Sequence, residues 1–180
     1  MVRRSEDGPT EGDAIPDSDV LTVGWQETVQ DMRAMAADRV EKGYDPLAIP
    51  SHNTAPIAPG DGDDERFGLS HLADSDDADR FVEFYEGRDF SDTGVYQTVD
   101  GGTVFMVTEH IDYDNEQIVF IAGAFRLIDA SATVRAAMER GKMYTYVRAL
   151  DQTLLGTFEH GDPSDFFPNP DVYYSAGPNI

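Results

Sequence analysis

The chain contains no cysteine, which excludes disulfides, thiolate metal sites and a cysteine nucleophile. Lysine is almost missing as well, since Lys42 and Lys142 are the only two. Because no basic stripe is available to neutralise phosphates, we expect no nucleic-acid partner. The longest apolar run, residues 118–125, is too short to cross a bilayer, and no apolar export segment follows Arg3 and Arg4. We therefore expect a soluble, cytoplasmic protein without a membrane partner.

Acidic residues are what the chain has in excess. Asp and Glu number 35 against 13 Lys and Arg, for a formal net charge of −22, while 40% of the residues are hydrophobic and can form a core. This charge repels itself at low ionic strength, whereas molar salt shortens the Debye length to about 3 Å and screens it. The composition therefore favours a halophilic, haloarchaeal protein. A nucleic-acid mimic or a decoy-like inhibitor is the alternative interpretation of the acidity.

The length of 180 residues predicts one domain flanked by tails. Residues 1–16 are mostly Gly, Pro and acidic residues, and we predict a disordered acidic tail there. Residues 17–161 are predicted to form the single domain. Residues 162–180 are rich in proline and aromatic residues, and we predict a C-terminal tail that either binds a partner or docks on the domain.

Helical spacing of apolar residues predicts three helices, over 20–42, 75–87 and 129–141. Between the second and third helices, β-branched runs joined by Asp-Gly and Asp-Asn turns predict a three-stranded meander over 93–127. Two further strands, 142–150 and 153–160, predict a C-terminal hairpin. The fold class predicted from these elements is α+β. It has a mostly antiparallel five-stranded sheet, made of the meander and the hairpin, packed with three helices.

Proline and uninterrupted apolar runs refine this prediction. Four prolines between residues 46 and 59 exclude a helix or a central strand, so we expect extended or turning backbone over 43–65. A short strand is predicted at 66–72. Residues 104–107 and 118–122 are apolar at successive positions, which indicates a sheet buried on both faces. We expect helices to cover one face of the sheet. The helix that contains Trp25, or a second subunit, would cover the other face, so a homodimer is possible.

The loop at residues 50–56 is the segment most suggestive of a binding site. It contains Ser51, His52, Asn53 and Thr54 in a backbone restricted by the neighbouring prolines. Because these polar side chains would be held rigidly, we predict that all four bind a ligand, together with His71 and His110. Ser, Asn and Thr are also ordinary turn residues, so a purely structural loop is the alternative.

The remaining acidic and histidine residues show no metal-binding pattern. The four histidines lack HxH or HExxH spacing, so a metal site would have to assemble in space from His52, His71 and His110 or Glu109. The run 112–117 begins like an EF-hand loop but lacks its Gly and its final Glu, and we interpret it as a hairpin turn. No phosphate-binding loop is present. We predict no metal and no cofactor.

The stretches "GYDPLAIPSHNTAP", "IAGAF" and "LLGTFEHGDPSDFFP" resemble an uncharacterised family of small acidic haloarchaeal proteins. The resemblance extends roughly over residues 18–168. It implies a halophilic cytoplasmic protein with a single domain, and it transfers no catalytic residue.

These observations favour a non-enzymatic binding or adaptor module for a protein partner or a small ligand. No catalytic motif, thiol or nucleotide-binding loop points to an enzyme. The alternative is a hydrolase-type enzyme that uses the Ser51-His52-Asn53 loop with His71 or His110. A close approach of His52 to another histidine or to Glu109 would favour that alternative.

Overall fold

The computed structural model describes residues 18–61 and 66–176. It is an α+β fold with two four-stranded mixed sheets. In chain order the helices and strands are α1 (Ser18–Glu41), β1 (Asp45–Pro50), β2 (Asn53–Ile57), β3 (Gly68–Ala73), α2 (Ser75–Tyr85), β4 (Asp92–Asp100), β5 (Thr103–Asp112), β6 (Gln117–Arg126), α3 (Ser131–Arg140), β7 (Met143–Ala149), β8 (Leu154–His160) and α4 (Pro170–Ala176). Short 3-10 helices lie at Leu127–Asp129 and Pro163–Asp165.

The first sheet has the strand order β1-β6-β5-β4, and the second has the order β2-β3-β7-β8. The prediction of one five-stranded, mostly antiparallel sheet with three helices is therefore wrong. The meander is present as β4-β5-β6 and the hairpin as β7-β8. The error lies in the proline segment, which supplies two strands, and in β3, which pairs in parallel with β7.

Strands β1 and β2 tolerate their prolines because both lie at sheet edges. β1 pairs in parallel with β6, and β2 pairs antiparallel with β3. An edge strand needs only one row of backbone hydrogen bonds, so a proline without an N–H can face away from its neighbour. The composition correctly excluded a central strand, but it did not indicate that two edge strands form.

The first sheet is covered on both faces, as the apolar runs predicted. All ten residues of β5 are buried, and alternate side chains point to opposite faces. On one face Val107 packs in a cluster with Met32 of α1, and on the other Met106 packs in a cluster with Leu69 of the second sheet. The double burial that suggested a homodimer thus has its explanation within a single chain.

The segment after β8 docks on its own domain, which is one of the two outcomes expected for it. Phe166, Phe167 and Tyr173 are buried in the core, and the Gln97 amide nitrogen donates to the Phe166 carbonyl at 2.8 Å. The predicted disordered tail at 1–16 lies outside the described residues. Among the helices described, none has both the length and the apolarity needed to cross a bilayer.

The acidic run at 112–117 forms the turn between β5 and β6. The Asp112 carboxylate accepts hydrogen bonds from the Asn115 backbone N–H at 3.1 Å and its side-chain amide at 2.8 Å. It also accepts a bond from the Asp89 backbone N–H at 3.1 Å. Because its oxygens are used in this way, Asp112 stabilises a hairpin turn, as interpreted from the sequence.

Candidate functional site

The corner between β1 and β2 carries the polar loop that the sequence singled out. Here the chain leaves the edge of the first sheet after Pro50 and enters the edge of the second at Asn53. The Ser51 N–H donates to the Ala122 carbonyl of the first sheet at 3.0 Å, and the His52 N–H donates to the Leu72 carbonyl of the second at 2.8 Å. The corner is therefore fixed to both sheets.

Three of the predicted site residues form a buried hydrogen-bonded chain, the Ser51–Thr54–His71 chain. Ser51 Oγ lies 3.0 Å from Thr54 Oγ1, which lies 2.9 Å from His71 Nδ1. Ser51 and Thr54 are each 6% exposed and His71 is 1% exposed. The hydroxyl of Ser51 is thus connected, through Thr54, to a histidine in the protein interior.

The direction of this chain follows from the other nitrogen of His71. Burial lowers the pKa of His71 to about 4, so the ring is neutral at neutral pH and carries one N–H. Within the described part of the chain, His71 Nε2 has no hydrogen-bond partner. Since a buried N–H without an acceptor is rarer than a buried acceptor without a donor, we assign the proton to Nδ1. With this assignment His71 donates to Thr54 and Thr54 donates to Ser51, which leaves the Ser51 hydroxyl hydrogen for another acceptor.

Gly123 of β6 makes room for the chain. A Cβ at this position would lie 2.5 Å from Thr54 Oγ1 and 2.9 Å from His71 Cε1. Since Cβ atoms do not approach other atoms this closely, any larger residue would displace one of the two side chains. The absence of a side chain in the middle of a buried strand is therefore tied to the Ser51–Thr54–His71 chain.

The corner opens on a cavity of about 510 Å³, the corner cleft. Its apolar wall consists of Leu21 and Trp25 of α1 with Phe105 and Ala124 of the first sheet, and its polar wall is the segment from Pro50 to Thr54. None of the described residues that line it carries a carboxylate, an ammonium or a guanidinium, although 27% of the chain is charged. The lining therefore suits an uncharged molecule.

His52 and Asn53 are exposed and lie at the mouth of the corner cleft. In residues 18–61 and 66–176, no hydrogen bond joins His52 to His71, His110 or Glu109. The N–H groups of Ser51 and His52 are bonded to sheet carbonyls, so they are not available to stabilise an oxyanion.

His110 does not line the corner cleft. Its ring stacks on Phe158 at a centroid distance of 4.1 Å, and its Nε2 lies 3.0 Å from Thr108 Oγ1. The His160 ring centroid is 5.6 Å away. Burial, with His160 and His71 nearby, holds the pKa of His110 well below its ordinary value. His110 is therefore a neutral core residue between the two sheets.

The histidines do not assemble into a metal site. Over the described ranges, no group of three or more His, Asp or Glu side chains has a geometry that could hold a metal ion.

A second cavity, the α1–β4 groove, contains residues that were not predicted. It has a volume of about 620 Å³ and lies between α1 and the outer face of β4 and β5. At its floor Arg39 Nε donates to Glu109 Oε2 at 2.6 Å, and the Tyr96 hydroxyl donates to Glu109 Oε1 at 3.2 Å. The hydrogen bond to Glu109 raises the pKa of Arg39, and burial raises that of Tyr96, so both groups remain donors.

The sequence contained a signal for this ion pair. Glu109 occupies the α1-facing side of β5, where the neighbouring positions on the same side are Val107 and Ile111. Arg39 follows Met32 and Ala36 on the buried stripe of α1. Opposite charges on two stripes that must face each other indicate a buried pair, provided that the packing of α1 on β5 is known.

Comparisons with known proteins place the chain in a family. A model of a family of unknown function matches residues 13–168. No curated protein matches the chain significantly, and no solved structure does.

Proposed function

This chain belongs to DUF7529, a family of unknown function, and we propose from its site alone that it is a non-enzymatic binding module for a small uncharged molecule. The ligand would occupy the corner cleft. The observation that carries this proposal is the Ser51–Thr54–His71 chain, which ends in a histidine buried behind the cleft. A hydroxyl oriented by two groups behind it is a preorganised donor, and preorganisation is what small-molecule sites use to gain affinity.

The chemistry of the ligand follows from the two walls of the cleft. Leu21, Trp25 and Phe105 provide an apolar surface against which a flat or aromatic body can pack. Ser51 would offer its O–H to the cleft, where it needs an acceptor such as a carbonyl oxygen. The volume of about 510 Å³ is in the range typical of small-molecule sites. We therefore propose an aromatic or similarly flat ligand that bears a carbonyl group.

Trp25 makes the proposal testable without knowledge of the natural ligand, because it is the only tryptophan in the chain and it lines the cleft. Benzamide, whose carbonyl can accept from Ser51, and aniline, which has no carbonyl, are titrated in molar KCl while the fluorescence of Trp25 is recorded. Benzamide is expected to bind more tightly. Ser51→Ala should weaken its binding about tenfold, the equivalent of about 1.4 kcal/mol for one lost hydrogen bond.

Ser91→Ala is the matched control, because Ser91 is exposed and does not line the corner cleft. It should leave the affinity for benzamide unchanged. If neither compound alters the fluorescence of Trp25, or if Ser51→Ala binds benzamide as well as the unaltered protein does, the proposed site is wrong.

We further propose that the protein is halophilic and cytoplasmic, and the support for this is its net charge of −22. A protein partner and a homodimer, both expected from the sequence, would be compatible with a ligand in the corner cleft. We propose the small ligand first because the corner cleft is concave and the Ser51–Thr54–His71 chain holds its polar wall in place.

A further inference from the structure

The α1–β4 groove differs from the corner cleft in that it contains charged groups. We propose that this groove is a second binding site, which takes a small organic carboxylate whose charged end contacts Arg39. The proposal does not depend on the function proposed for the corner cleft. It rests on the state of the Arg39 guanidinium, on the charges around it and on the apolar floor of the groove.

The guanidinium of Arg39 is fixed in place but incompletely used. Its Nε bonds to Glu109 at 2.6 Å, and the Tyr96 hydroxyl also interacts with the group. These contacts leave most of its five N–H groups for a ligand. The Arg39 side chain is 27% exposed and lines the groove, so a ligand can reach it. Because Glu109 already holds the side chain, little conformational entropy is lost when an anion binds.

Glu109 is a supporting group and is not available to the ligand. It is 2% exposed, and its two oxygens accept from Arg39 and Tyr96. Across the strand pair, a Cβ on Gly94 would lie 3.1 Å from Glu109 Oε1 and 3.4 Å from the Tyr96 hydroxyl, so glycine leaves space for this contact. An apolar pair would hold a helix on a sheet without the desolvation cost of a buried charge pair. A role of Arg39 in ligand binding would explain why a charged pair, Arg39 and Glu109, is present there.

Among the described residues, the groove is lined by two carboxylates, Asp38, which interacts electrostatically with Arg39, and Asp31. Asp38 is paired with Lys42 at 3.0 Å, which leaves Asp31 as the remaining carboxylate of the lining. Asp31 and Arg39 are eight residues apart on α1, which corresponds to about 12 Å along the helix axis. In molar salt the Debye length is about 3 Å, so neither Asp31 nor the net charge of the protein acts strongly at that distance.

The apolar floor of the groove would contact the uncharged part of the ligand. Phe105, Val107 and Met35 line the groove together with Arg39, and Tyr96 lies beside Val107 on the neighbouring strand. A ligand with a carboxylate at one end and an aryl or alkyl body at the other satisfies both parts of this lining. Inorganic anions would use only Arg39, and uncharged molecules would use only the floor.

Isothermal titration calorimetry in molar KCl tests the proposal with three probes that share one ring: phenylacetate, phenylacetamide and phenethylamine. Phenylacetate is expected to bind at least about tenfold more tightly than the neutral amide, since only the acid can make charge-assisted bonds to Arg39. The double variant Arg39→Met/Glu109→Gln removes both charges, so it leaves no buried charge without its partner. It should lose this advantage of the acid.

Two control variants test whether phenylacetate binds in the groove itself. Arg33→Gln removes the same charge from an exposed position of the same helix that does not line the groove, and it should leave phenylacetate binding unchanged. Ser51→Ala should also leave phenylacetate binding unchanged, while the double variant should still bind benzamide in the corner cleft. The two proposed sites can therefore fail independently.

The proposal is overturned if phenylacetate does not bind, if the amide or the amine binds as tightly as the acid to Ser51→Ala, in which the corner cleft is weakened, or if Arg33→Gln weakens binding as much as the double variant does. Should the double variant fail to fold, Arg39→Lys decides the matter. It keeps the ion pair with Glu109 but replaces the planar fork by a point charge, so phenylacetate should bind several-fold less tightly. Unchanged affinity in Arg39→Lys would also overturn the proposal.

Discussion

At the scale of single residues, the unusual feature is a set of buried neutral histidines. His71, His110 and His160 are all buried, and each has a ring nitrogen within 3.0 Å of a threonine hydroxyl. Burial lowers the pKa of His71 and of His160 to about 4 and holds that of His110 well below its ordinary value. The protein therefore depends on these rings remaining uncharged.

This dependence predicts a loss of stability in mild acid. Between the unfolded pKa of about 6.5 and the folded pKa, the unfolded chain binds protons that the native protein does not. The free energy of unfolding should therefore increase with pH in this window. Lowering the pH from 7 to about 5.5 should decrease it by about 1 kcal/mol for each buried histidine. Urea unfolding at several pH values in molar KCl measures this dependence of the unfolding free energy on pH.

Two substitutions show whether the histidines are responsible. His71→Gln should make the dependence of the unfolding free energy on pH shallower, because one titrating group has been removed from the core. His52→Gln should not, because His52 is exposed. A stability that is constant between pH 7 and 5.5, or equal slopes in both variants, would contradict the prediction.

At the scale of secondary-structure elements, β6 has a glycine, Gly123, at the point where it packs against the Ser51–Thr54–His71 chain. Gly123→Ala would place a methyl group 2.5 Å from Thr54 Oγ1, so a side chain or the strand must move. We expect the substitution to lower the free energy of unfolding by about 1–3 kcal/mol, as for other overpacked core positions, and to weaken benzamide binding through displacement of Thr54. Thermal unfolding and the fluorescence of Trp25 measure the two effects.

Gly161→Ala is the control for this substitution, because no heavy atom beyond its two chain neighbours lies within 4 Å of the position its Cβ would take. It should be close to neutral in both measurements. If Gly123→Ala is equally neutral, the close packing of β6 against the Ser51–Thr54–His71 chain is not important for stability or binding.

The elements also show what a single sequence can predict. Periodicity located α1 and the turn chemistry located the β4-β5-β6 meander, because both patterns depend on residues close together in the chain. The division into two sheets was not predictable in this way. It depends on the parallel pairing of Leu69 with Thr145, and on Pro46 and Pro56 lying at edges, which only the assembled sheets determine.

The candidate site was predicted in part for the same reason. Ser51 and Thr54 were predicted because the prolines restrict their loop, and His71 because a histidine could join that loop in space. Arg39 was not among the predicted site residues. Its contact with Glu109 joins two residues far apart in sequence, and no local pattern encodes it.

At the scale of the whole molecule, the acidic surface should determine the solution behaviour. With a net charge of −22, the folded state is destabilised by repulsion that salt screens. We expect the unfolding temperature to rise by at least about 10 °C between about 0.1 M and 2 M KCl, and calorimetry or circular dichroism can follow this. Sorbitol at matched osmolality is the control, because it supplies no screening ions. An unfolding temperature that does not change with KCl would contradict the halophilic proposal.

Phe105 has a consequence for the molecule as a whole, because its side chain lines both the corner cleft and the α1–β4 groove. The position of the Phe105 ring therefore affects the shape of both cavities. A molecule that displaced this ring from one cavity would also alter the lining of the other. If this changes the affinity of a second molecule for the other cavity, thermodynamic linkage requires the second molecule to change the affinity of the first by the same factor.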